Sequence, residues 1–137
     1  MDLEPKIGPA TAGNANSDFV VPSNEVRRLL YAQLILTTDA TVANRRAIMQ
    51  IYDDNSNLII DAHAGAVVAA SQASQHHEFM QGVYRETTFQ GSSLQIPMPS
   101  DCYLSAGWTL RFNISAGVAG DSFSVNLAWE RYKNGVS

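Results

Sequence analysis

His76, His77 and Glu78 stand side by side in SQHHEFM, residues 74–80. Imidazole and carboxylate are the groups from which zinc and iron centres and acid–base pairs are built. The surrounding pattern reads as a strand, and on a strand successive side chains alternate between faces. His76 and Glu78 then share one side and His77 points to the other, which leaves two ligands on one face. An open catalytic metal centre normally takes three protein ligands. His63 is the remaining histidine, thirteen residues before His76 and at no recognisable ligand spacing.

Metal enzymes of the cupin type carry His-x-His, then a glutamate, then a later histidine. Here the two histidines are adjacent and none follows His77. The expectation is a solvated strand or an interface histidine cluster, with no metal and no cofactor. Cys102, between Asp101 and Tyr103, lies in no nucleophile motif and reads as a small half-buried hydrophobe at a strand start. No Gly-x-Ser-x-Gly, phosphate-binding glycine loop or dinucleotide fingerprint occurs. Asp53 and Asp54 open DDNSN, a turn by composition, and a calcium site there needs more oxygens than Asn55 and Asn57 add. The chain is expected not to be an enzyme.

These groups must be positioned by a chain of 137 residues with 45% hydrophobic content, the size of one domain with one core. A net charge of −4 and two isolated pairs, Arg27-Arg28 and Arg45-Arg46, give no basic stripe for nucleic acid. One cysteine excludes an internal disulfide. No basic-then-apolar leader opens the sequence, and no apolar run approaches the ~18 residues that span a bilayer. The expected setting is a reducing, soluble compartment without membrane contact.

From Glu25 onward the hydrophobic period is two. EVRRLLYAQLILTT reads as a long strand, with Leu30, Ala32, Leu34 and Leu36 on one parity and Leu29, Tyr31, Gln33 and Ile35 on the other. RRAIMQIY, LIIDAH, QHHEFM, a short stretch around Leu94–Ile96, the run after Gly107, and FSVNLAWERY follow, separated by Gly/Asn/Asp/Pro turns. Residues 64–74 read as an irregular crossover. About eight strands and no helix predict an all-β, two-sheet β-sandwich, with an eight-stranded jelly roll as the expected order. Residues 1–24 are rich in Gly, Pro and Asn and read either as a frayed terminus or as an extended N-terminal arm that orders against another subunit. The expected organisation is therefore an arm at 1–24, a sandwich at 25–132 and a short tail at 133–137.

Four stretches carry a resemblance: ILTTDATVANRRAIMQIYDDNSNLI, then AAS, then HEFMQGV, then IPMPSDCYLSAGWTLRFNIS, within residues 25–131. In them the chain resembles a small jelly-roll protein of tailed-bacteriophage particles. The resemblance implies a decoration or cement protein, made in the host cytoplasm and carried on the capsid exterior. Such a protein binds neighbouring major capsid subunits and associates with itself as a dimer or trimer. Ile7, Phe19 and Val20 are then the expected capsid-binding residues of the arm, and Tyr84, Phe89 and Trp108 the expected oligomer contacts. A tail adaptor or receptor-binding fibre head is the alternative within the same particle. A trimeric extracellular ligand is disfavoured by the missing leader.

Overall fold

A computed structural model describes residues 2–133 as eleven strands with no helix. In chain order they are β1 (Asp2–Ile7), β2 (Thr11–Ala12), β3 (Ser17–Val20), β4 (Glu25–Thr37), β5 (Arg46–Tyr52) and β6 (Leu58–His63). Then come β7 (Gln75–Met80), β8 (Ser93–Pro97), β9 (Cys102–Leu104), β10 (Thr109–Ser115) and β11 (Ser122–Lys133). One sheet runs β1-β11-β4-β7-β8, with β2 also on β11 and β9 also on β4; the other runs β3-β10-β5-β6. The two form a β-sandwich, as the alternation required. The tail beyond Lys133 lies outside the described residues.

The inward parity of the strands from β3 onward supplies the core. Leu34, Leu36, Phe79, Leu94, Ile96, Val125 and Trp129 come from the first sheet and meet Met49, Ile51, Leu110 and Phe112 from the second. Edge-to-face ring contacts tie the layers together, Phe79 to Phe112 at 5.8 Å and Phe19 to Trp129 at 6.3 Å between centroids. In β4 the parity changes part-way. A register shift opposite Ala128 and Trp129 lets Leu29 as well as Ala32 point inward and turns Leu30 outward, which strict alternation had reversed.

The strand order departs from a complete jelly roll. The nested pairs β4·β11 and β5·β10 are what a rolled-up hairpin produces. Beyond them, β6 folds back on β5 and β8 runs parallel to β7. The count is eleven because β1, β2, β3 and β9 add to the expected set.

The separate N-terminal arm is corrected by the structure. β1 pairs with β11 along its whole length, from Asp2 opposite Arg131 to Ile7 opposite Asn126, and β3 pairs with β10. Gly8 N donates to Val125 O (2.7 Å), so Lys6, Glu4 and Asp2 also face β11 through their main chain. Leu3, Pro5 and Ile7 therefore turn their main-chain groups outward. Pro5 sits where its missing N–H costs the ladder nothing and blunts the open edge. Glu4 adds ion pairs to Arg27 (3.0 Å) and Arg131 (3.3 Å) and accepts from Trp129 Nε1 (3.3 Å). Segment 2–20 is part of the sandwich.

Candidate interaction surfaces

β7 separates the histidine pair as its geometry demands. His77 is fully buried between the sheets, while His76 and Glu78 lie on the outer face of the first sheet. There Glu78 is saturated. Its Oε1 accepts from Tyr31 Oη (3.5 Å) and Gln33 Nε2 (3.4 Å), and its Oε2 accepts from Ser93 Oγ (3.3 Å). Gln33 Nε2 also lies 3.1 Å from His76 Nδ1. These contacts stitch β4, β7 and β8 across their outer face. His63 belongs to the other sheet and pairs with Asp61 at 2.9 Å. Among the described residues no group of three or more His, Cys, Asp or Glu is arranged to hold a metal ion.

His77 is the chemically unusual member. Burial holds its imidazole down to about 4, well below an ordinary histidine. Its Nδ1 faces Leu34 O (3.3 Å), its Nε2 has no partner, and Phe89 packs edge-on against the ring at 5.4 Å. Cys102 is likewise buried, and that burial pushes its thiol up to about 11, so it is an inert packing residue. Asp53 closes its turn by accepting from the backbone N–H of Asn57 (2.8 Å) and Asn55 (2.9 Å), bonds that hold its carboxyl below the usual range. DDNSN is an Asx-type turn by these bonds.

The expected arm residues separate. Ile7 is 81% exposed and Val20 is exposed too, but Phe19 is only 8% exposed and packs on Phe112 and Trp129. Phe19 is a core residue because β3 turns it inward with Ser17 while Asp18 and Val20 face out. Of the expected oligomer contacts, Phe89 and Trp108 rest against the core and Tyr84 alone projects, 93% exposed.

Two features lay beyond sequence reasoning. Across the outer face of the first sheet, the registers Pro5–Ala128, Ala128–Tyr31, Tyr31–Met80 and Met80–Pro97 align one row through all five strands in its main order. Every member has an apolar body, and Leu3 and Ile7 flank the row on the exposed edge strand. The next row reads Ile7–Asn126–Gln33–Glu78–Gln95 and is polar beyond Ile7. The face thus carries an apolar stripe bordered along most of its length by amides and a carboxylate.

The second feature is a buried hub. Arg45 is fully buried and forks onto Asp121 through Nε and Nη2 (both 3.0 Å), while Nη2 also reaches Asp39 (3.0 Å) and Nη1 reaches Ala43 O (3.0 Å). Asp121 further accepts from the N–H of Asp39 (2.9 Å) and Val118 (3.0 Å). Burial acts to raise the Asp121 carboxyl, and the bonds from Arg45, Val118 and Asp39 outweigh it and hold the group below its ordinary value. The loops are close enough that a Cβ on Gly120 would strike the Asp39 carboxylate, and one on Gly13 the Asp121 Cβ. The hub is a structural clamp joining loops far apart in sequence.

Comparison of the chain with models of protein families, with curated protein sequences and with solved structures finds no match.

Proposed function

We propose that this protein works by association rather than by turnover, as a decoration or cement protein on the outside of a tailed-bacteriophage head. The observation that carries this reading is the apolar row through Pro5, Ala128, Tyr31, Met80 and Pro97, with Leu3 63% and Ile7 81% exposed beside it. A sheet face of this kind suits a broad, shallow contact with another protein surface. The resemblance in residues 25–131 supplies the setting: neighbouring major capsid subunits as partners, with self-association as a dimer or trimer. Repetition on a symmetric shell turns a modest single contact into stable occupancy.

The test is to purify particles and measure the copy number of this chain against the major shell protein by quantitative mass spectrometry. A near-stoichiometric ratio is expected. A handful of copies moves the protein to the tail, as an adaptor or fibre head, and absence from particles ends the reading.

A further inference from the structure

The open side of the sandwich between β6 and β8 combines three features. A cleft of about 410 Å³ lies there, floored by Ile60, Ala62, Ile96 and Met98 and rimmed by Asp61 and Arg85. β6 is the edge strand of its sheet, and the bond from Ala64 N to Ala47 O (2.9 Å) sets the phase of its ladder. Residues 60 and 62 therefore face β5 through their main chain, while Asp61 and His63 turn their N–H groups toward the open side. No proline interrupts β6, in contrast to β1.

The third feature is electrostatic. Arg85 Nη2 donates to Ala64 O (3.2 Å) and its Nε to His63 O (3.4 Å), and Arg46 Nη1 donates to the same Ala64 oxygen. Two donors on one oxygen lie within ~6 Å of each other. Among the described residues, neither guanidinium has a carboxylate at ion-pair distance, whereas Arg27, Arg28, Arg45, Arg111 and Arg131 each have at least one. The Asp61 carboxylate on the rim is engaged by His63 Nε2 (2.9 Å) and Gln50 Nε2 (3.4 Å). Two cations brought together without a counter-charge favour an incoming anion, and a forked guanidinium pair suits a carboxylate.

We propose that the β6 edge, with Arg46 and Arg85, is a docking site for an extended acidic segment of a partner protein. The segment adds as a strand to β6, lays alternate apolar side chains into the cleft and sets a carboxylate against the two arginines. Main-chain bonds supply affinity, and the arginine pair supplies the demand for an acid. The site stands apart from the particle reading, since it requires an acidic strand and no particular assembly.

Fluorescence anisotropy tests it, using a labelled peptide of about eight residues alternating valine and glutamate, beside a valine–serine peptide of equal length. The full chain is expected to bind the glutamate peptide saturably, roughly tenfold or more tighter than the serine peptide. Arg46→Gln with Arg85→Gln weakens the glutamate peptide by roughly tenfold or more. Asp61→Pro removes an outward N–H, leaves the β5 ladder intact and abolishes binding of both peptides. Thermal melts establish that each variant is folded, and Arg85→Gln alone, at an exposed side chain, replaces the double variant if that one is not. No binding by the wild type, equal binding of the two peptides, or binding indifferent to the arginines overturns the proposal. Full binding by a folded Asp61→Pro chain overturns strand addition.

Discussion

His77 sits neutral between the sheets, its Nε2 unpartnered, because charging it there would place a cation in the core. Its folded value of about 4 against 6.5 for the free side chain makes stability depend on pH in a defined window. Between those values the unfolded chain binds the proton that the folded chain refuses, so stability is complete above pH 6.5 and falls as pH drops toward 4. The full loss is about 3 kcal/mol. Urea unfolding between pH 4 and 7 should show this slope, and His77→Met should flatten it. Arg45 makes the opposite kind of demand. Arg45→Ala strands the Asp121 carboxylate in a buried site and should cost about 3–5 kcal/mol. Arg45→Met with Asp121→Leu should cost much less than the sum of the singles, a coupling that a double-mutant cycle measures directly. The opposite facing of His76 and His77 was legible from alternation alone. The hub was not, because Arg45 and Asp121 stand 76 residues apart and nothing local in either neighbourhood announces the other.

At the scale of elements, the strands from β4 to β11 other than the three-residue β9 were legible because their alternation runs long enough to declare itself between turn residues. β1 also alternates, with Leu3, Pro5 and Ile7 on one parity, but that parity faces solvent, while Glu4 on the other meets Arg27 and Trp129. A strand whose apolar side is exposed and whose inner side is an ion-paired carboxylate defeats hydrophobic patterning. β3 has four residues and β2 two, too few to show a period. Removing residues 1–24 should therefore unfold or severely destabilise the domain, and circular dichroism with a thermal melt checks this. Phe19→Ala should cost about 3–5 kcal/mol, as large-to-small core changes do. Ile7→Thr should stay within about 0.5 kcal/mol, since its side chain packs on nothing essential.

For the whole molecule, the outer faces are built differently. The second sheet's face mixes exposed Val20, Leu58 and Ile59 with a polar run, in which Arg111 pairs with Asp18 (2.8 Å), stacks over Tyr52 at 4.9 Å, and adjoins Asn113 and Gln50 bonded at 2.9 Å. The first sheet's face carries the apolar row. Met80→Glu, at β7's one member of that row, should leave the melting temperature nearly unchanged and reduce binding to undecorated heads, read by co-sedimentation. Binding that survives the change would place the contact elsewhere. The pairing of β1 with β11 has a further, mechanical consequence. Asp2 lies beside Arg131 in antiparallel strands, so tension between these two ends of the fold loads the ladder one rung at a time, from that pair inward. Force spread across the faces instead meets many rungs together. A body joined this way peels softly when tugged by its ends and resists when it is pressed or stretched through its flanks.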